Sequence, residues 1–196
     1  MEISNHIGLF FGSFNPVHVG HMIIANFMVE HSGLDEIWMV VTPHNPHKSK
    51  KSLANDYDRL HLVNVAIGEN KHLKASDIEF KLPKPSYTID TLTYLKEKFP
   101  TKEFSLIMGG DNLSTFHKWK NYEMILNGHQ IYVYSRPGYE LGELQNHESV
   151  HILEAPLLSI SASYIRNQIK EEKSIQYLVP DKVYEYLLEN NIYPNL

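Results

Sequence analysis

Two histidines stand three residues apart in the amino-terminal string FFGSFNPVHVGH, as His18 and His21. On one helical turn their imidazoles share a face. The apolar run Ile7 to Phe11 reads as a strand, Gly12 and Ser13 end it, and Pro16 stiffens the turn. His18-Val19-Gly20-His21 then opens a helix, whose free N–H groups and positive dipole end suit a phosphate. Gly12 has no side chain to hold a ligand off the main chain. Two imidazole donors aimed at one phosphate would neutralise the charge that builds in a pentacoordinate transition state. For a bare four-residue pattern the plainer alternative, two polar residues at a helix start, stands equally open.

A second set lies near the other end of the chain, Ser159 to Arg166 (SISASYIR), just before another predicted helix. Ser161 or Ser163 can cap that helix, and Arg166 falls in about its first turn. Capping serines, free N–H groups and a guanidinium fork make a polyphosphate site. Taken alone, a simple N-cap with Arg166 on a solvated face explains the string better.

The elements that must position these residues alternate short apolar runs with amphipathic stretches, the pattern of strand–helix units on a parallel sheet. Strands are expected at Ile7–Phe11, Glu36–Val41, Phe104–Met108, Gln130–Tyr134 and Val150–Leu153, with a weaker one within His72–Phe80. Ile7–Phe11 lacks polar alternation and so predicts burial on both faces. Helices are expected over Gly20–His31, with Met22, Ile23, Asn26 and Phe27 one turn apart, and over Asp56–Ile67. Asp56 is the expected cap of the latter, with Leu60, Val63 and Ile67 as its buried stripe. Ser86 or Thr88 is expected to cap a helix carrying Leu92 and Leu95, and two more helices start near Ala162 and Pro180. The fold class this predicts is α/β, a Rossmann-like doubly wound parallel sheet with helices on both faces. Ligands of such sheets sit at the carboxyl ends of the strands, where strand order reverses, and the motifs fall at those ends.

Composition sets the bounds. The 196 residues suit one core and are expected to form one domain over 1–196. A net charge of -5 argues against a broad surface for long nucleic acid while allowing a small basic pocket. With no cysteine there is no disulfide, thiolate metal site or cysteine nucleophile. The start lacks a basic leader with a long apolar run, and no stretch reaches membrane-spanning length, so a cytoplasmic protein without a membrane partner is expected. The 12 histidines are scattered without specific metal-ligand spacing.

The two strings, in this order and at opposite ends, resemble the (T/H)xGH and ISxTxIR motifs of the nucleotidyltransferase superfamily, with serine at Ser163 in place of the usual threonine. Class I aminoacyl-tRNA synthetases share a related HIGH-type signature but are normally much longer. Gly109-Gly110-Asp111-Asn112-Leu113 with Phe116 and Trp119 is similar to the GxDxLxxFxxW stretch of bacterial nicotinate-nucleotide adenylyltransferases. Pro85-Ser86-Tyr87-Thr88 with Thr91-Leu92, Arg136-Pro137-Gly138 and Arg59-Leu60 resemble further segments of that family, so the likeness runs from about Leu9 to the final helix.

The resemblance implies transfer of AMP from ATP to nicotinic acid mononucleotide, by in-line attack on the α-phosphorus and without a covalent intermediate. It implies that Gly12, Ser13, Phe14, His18 and His21 hold the ATP phosphates, with the histidines stabilising the transition state. Ser161 and Arg166 would grip the β- and γ-phosphates, and Lys48 would close over the triphosphate. Asp111, with Gly109 beside it, would take the adenosine ribose hydroxyls, and Arg136 would lie along the adenosine. Trp119 would stack on the pyridine ring while Thr88 and nearby N–H groups receive the carboxylate. Mg2+ would enter with the ATP phosphates. Each has a plainer alternative: Trp119 a core anchor, Asp111 or Thr88 a helix cap, Lys48 part of a solvated run with Lys50 and Lys51.

Three places depart from the family pattern. Asn15 replaces the usual aspartate of the first turn, and Lys120 replaces the tyrosine that commonly follows the stacking tryptophan. The segment Thr42 to Lys48 is shorter than the family loop, which leaves His44 or Asn45 to supply a substrate contact. The alternatives are an adenylyltransferase for nicotinamide mononucleotide or phosphopantetheine, and, in another class, a non-catalytic nucleotide- or metal-binding module. Self-association to a homo-oligomer is left open.

Overall fold

Strand β1 (Asn5–Gly12) lies at the middle of the molecule because nothing in Ile7–Phe10 is polar. Ile7 and Leu9 are completely buried, each such side chain contributing about 2 kcal/mol. The computed structural model describes residues 5–43, 53–135, 141–156 and 158–193. Five more strands follow: β2 (Glu36–Val41), β3 (Leu73–Ser76), β4 (Lys102–Gly109), β5 (Ile131–Tyr134) and β6 (Val150–Leu153). They form one sheet in the order β3-β2-β1-β4-β5-β6, and every pair is parallel. The order reverses between β1 and β4, which is the switch point of a doubly wound sheet.

Successive side chains of a strand point to opposite faces, and here each face has its own core. Phe10, Met39, Val41 and Ile107 enter one, covered by Ile24, Ala25 and Met28 of α1 (Val19–Ser32) and Leu62 and Val63 of α2 (Asp56–Ile67). Ile165 of α6 (Ala162–Lys170) and Val183 of α7 (Asp181–Glu189) complete that side. Leu9, Trp38, Val40, Leu106 and Met108 enter the other. There Leu92 and Leu95 of α3 (Thr88–Lys98), Leu113 of α4 (Gly110–Leu113) and Ile125 of α5 (Tyr122–Gly128) cover them. Helices on both faces of a parallel sheet are the Rossmann-like α/β arrangement expected.

Several local expectations change. The buried stripe of α1 is Ile24, Ala25 and Met28, with Met22, Ile23 and Phe27 on its flank and Asn26 exposed. That helix is apolar almost all round, so periodicity alone could not choose its inward face. The cap of α2 is Asn55, whose side chain accepts from the N–H of Tyr57, while Asp56 is the first helical residue. Its fully buried positions are Arg59, Leu62 and Val63; Leu60 and Ile67 are only partly buried. Neither Ser86 nor Thr88 caps α3: Tyr87 holds that position without a side-chain bond, and Thr88 is the first helical residue. The His72–Phe80 region divides into β3 and a 3-10 turn, Ile78–Lys81.

Candidate active site

Register brings the ends of four strands to one edge, with Gly12 beside Val41 and Gly109 beside Tyr134. From Gly12 the chain turns through Phe14, which has φ 43° and is 1% exposed. Its ring folds back under the turn so closely that a Cβ on Gly12 would sit 2.7 Å from it. Only glycine leaves that space. The Phe14 ring in turn meets His21 edge-on, with centroids 5.0 Å apart.

His18 occupies the N-cap position of α1, and its ring stacks on that of His21 at 3.6 Å and 26°. The main-chain N–H of His18 donates to Nδ1 of His21 (3.2 Å). An Nδ1 that accepts leaves the proton of a neutral imidazole on Nε2. His18 itself is buried, 6% exposed. The sequence reading of this pair as neighbours on one face therefore holds in space.

The turn is fastened by a residue to which the motifs assigned no role. Arg59, completely buried, donates Nη1 to the carbonyls of Ser13 and Thr42 and Nε to that of Ala54. Its Nη2 bonds Asp56 Oδ1 at 2.7 Å. One guanidinium thus ties the ends of β1 and β2 to α2. The signal in the sequence was the likeness of Arg59-Leu60 to a family segment, which carried no role for the side chain. Asn15, 2% exposed, accepts at Oδ1 from the N–H of Ala54 and from the Tyr193 hydroxyl, both at 3.1 Å. At this departure from the family pattern, a neutral amide serves as a two-bond acceptor.

The carboxyl-terminal string arrives at the same place. Ser161 caps α6 by accepting from the N–H of Tyr164 (3.2 Å). Ser163, the alternative cap, instead accepts from Arg166 Nη2 (3.2 Å). Nη1 of Arg166 donates to the main-chain carbonyl of Asn15 at 2.7 Å, across 151 residues. Two strings from opposite ends of the chain thereby form one cationic, donor-rich edge.

At the end of β4, Asp111 folds back: a Cβ on Gly109 would collide with its Oδ1 and lie 3.1 Å from the Tyr134 ring. The cap position of α4 belongs to Gly109, so Asp111 is not the side-chain cap of that helix. Trp119, half-buried, rests on Phe116 with centroids 5.1 Å apart. Lys120 reaches Asp90 in the first turn of α3 at 2.9 and 3.0 Å and lies over the Tyr87 ring. It thus links the Trp119 segment to the helix that begins at Thr88. Lys48, His44, Asn45 and Arg136 lie outside the described residues. A cavity of about 530 Å³ opens near the starts of β1 and β4, among His6, Lys102, Glu103 and His129, and is lined by none of His18, His21, Asp111, Trp119 and Arg166.

A tight glycine turn, a stacked histidine pair and an arginine at the switch point of a parallel sheet are the arrangement of a nucleotidyltransferase, and residues 9–168 match the cytidylyltransferase-like family model. A protein named "Probable nicotinate-nucleotide adenylyltransferase" in Flavobacterium psychrophilum is 58% identical over 95% of this chain and 98% of its own. One of the same name in Bacteroides fragilis is 43% identical over 93% and 90%. The chain belongs to the nicotinate-nucleotide adenylyltransferase family. The fold also superposes on Plasmodium falciparum nicotinic acid mononucleotide adenylyltransferase complexed with NaAD. The TM-score is 0.82 at 21% identity, over 97% of this chain and 98% of that one. Among the described residues, no helix is long and apolar enough to cross a membrane.

Proposed function

We propose that this chain, as one nucleotidyltransferase domain, transfers AMP from ATP to nicotinic acid mononucleotide, giving nicotinic acid adenine dinucleotide and pyrophosphate. The observation that carries the reading is the bond from Arg166 to the Asn15 carbonyl, which joins both phosphate-binding strings beside the stacked histidines. A phosphate oxygen of the mononucleotide attacks the α-phosphorus in line. The new P–O bond forms as the α–β bridging bond breaks, and the electron pair leaves on pyrophosphate. The attacking phosphate is already ionised, so no general base is required.

In this reading Gly12, Ser13 and Phe14 shape the turn under the phosphates, and Nε2 of His21 and the His18 imidazole stabilise the charge developing on the α-phosphoryl oxygens. Ser161 and Arg166 hold the β- and γ-phosphates, and Lys48 closes over them. Asp111 accepts from the ribose hydroxyls where Gly109 leaves the main chain open, and Arg136 lines the adenosine side. Trp119 faces the pyridine ring, Thr88 and the free N–H groups of α3 receive the carboxylate, and His44 or Asn45 completes the substrate side. The donors at this edge are imidazoles, guanidiniums and N–H groups, which suit phosphate oxygens. Those oxygens are themselves the ligands Mg2+ prefers, and the ion supplies charge neutralisation when bound.

The test is pyrophosphate release with ATP, Mg2+ and either nicotinic acid or nicotinamide mononucleotide. The acid is expected to win by about ten- to a hundredfold in kcat/KM, the worth of hydrogen bonds to a charged rather than a neutral group. His18→Ala is expected to lower kcat about a hundredfold. Pyrophosphate from neither substrate would sink the reading and turn attention to phosphopantetheine; undiminished turnover in His18→Ala would remove its role.

A further inference from the structure

The last described residue, Tyr193, bonds into the phosphate-binding turn across 178 positions of sequence. Its hydroxyl and the N–H of Ala54 both point at Asn15 Oδ1, and two donors fill the two lone pairs of an amide oxygen. The main-chain carbonyl of the same Asn15 accepts from Arg166 Nη1. Arg59 holds the carbonyl of Ser13, two residues earlier. The turn is therefore pinned from two sides, by Arg59 before it and by the Tyr193–Asn15 pair at its centre. Of these fastenings, only the Tyr193 hydroxyl comes from beyond the last helix, α7, after residue 189.

We propose that Tyr193 is a positioning residue for the nucleoside triphosphate, acting through Asn15 to set where the turn and the Arg166 guanidinium meet the β- and γ-phosphates. The inference rests on the reading of Arg166 as a phosphate ligand. Tyr193 touches no reacting atom. Its effect reaches ATP because Arg166 is anchored on the residue that Tyr193 holds, whereas the residues proposed for the pyridine mononucleotide, Thr88 and Trp119, belong to α3 and the segment after α4 on the other face of the sheet. Burial pushes the Tyr193 phenol well above its ordinary range, with Arg166 and Arg59 opposing, so the hydroxyl stays a donor wherever the protein is assayed.

The experiment measures binding by calorimetry to the full chain, with α,β-methylene ATP plus Mg2+ and, separately, with nicotinic acid mononucleotide. Tyr193→Phe keeps the ring and removes one donor. Its Kd for the ATP analogue is expected to rise about three- to tenfold, the range of one neutral hydrogen bond, while that for the mononucleotide stays within about twofold. Replacement of Tyr193 by 4-aminophenylalanine restores a donor at the same place and is expected to recover most of the lost affinity. A thermal melt of each variant separates this from unfolding, and the 4-amino variant carries the test if the phenylalanine variant does not fold. An unchanged ATP-analogue Kd, an equal loss for both ligands, or no recovery with the amino group would overturn the proposal. If the wild type binds the ATP analogue but neither binds nor adenylylates the mononucleotide, the functional reading fails while the Tyr193 measurement remains decisive for its own claim.

Discussion

Glu79 carries a carboxyl in an environment that disfavours its charge. It is 2% exposed and accepts from the Thr91 hydroxyl at 2.9 Å, beneath the start of α3. Burial pushes its pKa up from the ordinary 4.5, and hydrogen bonds from Thr91 and Thr42 only partly offset this. A carboxyl that holds its proton longer when folded contributes stability that is complete below the unfolded pKa and is lost as pH rises through the folded one. Glu79→Gln carries no such proton. The stability of the wild type relative to this variant is therefore expected to fall as pH climbs from about 4.5 toward neutrality. Urea midpoints of both proteins across that range would check it, and a flat difference would show that Glu79 titrates normally. The His18–His21 pair was readable from its spacing because an N-cap residue and the third residue of the helix it opens are neighbours by local geometry. Glu79 was not, since nothing local distinguishes a buried glutamate from a surface one.

The junction between β4 and α4 shows how an element boundary positions chemistry. Gly109 has φ -79° and ψ 157°, a conformation open to any residue, so the need for glycine here is purely one of space. A methyl group at that point would meet Asp111 Oδ1 and the Tyr134 ring. Gly109→Ala is expected to displace the Asp111 carboxylate and raise the KM for ATP about tenfold, the cost of a weakened hydrogen bond to a charged group. The KM for nicotinic acid mononucleotide should change little. Initial rates with each substrate varied in turn would decide, and an unaltered ATP KM would mean that Asp111 does not meet the nucleotide. Boundaries that rest on apolar runs, such as Glu36–Val41 and Val150–Leu153, were readable to the residue. Helix starts were less so: Asn55 rather than Asp56 caps α2, because adjacent residues of similar capping ability are separated only by backbone geometry.

Arg59 links β1, β2 and α2 through three main-chain carbonyls, and so belongs to the assembly of the whole molecule. Arg59→Met keeps much of the volume and removes the donors to three carbonyls. It is expected to cost at least about 3 kcal/mol, since each buried acceptor left without a partner costs about 1–3 kcal/mol. Urea denaturation would measure this, and a loss under about 1 kcal/mol would show that water takes over those bonds. The same variant should weaken ATP binding, because the Ser13 carbonyl is one of the points that hold the turn.

From the sequence alone came the alternating elements, a parallel doubly wound sheet, and the two strings on which the proposed roles of His18, His21, Ser161 and Arg166 rest. The elements follow from short-range rules, the period of apolar residues and the turn residues that end each run, whereas the proposed roles come from the likeness of the strings to the family's motifs. Tertiary structure alone decided that Arg166 closes on the Asn15 carbonyl, that Arg59 is an internal clasp, that α1 turns Ile24, Ala25 and Met28 inward, and that Tyr193 reaches back into the first turn. Each of these depends on which surfaces meet after folding. A polar side chain bears no local mark of the carbonyl it will find 151 residues away, and its burial is set by whatever packs over it.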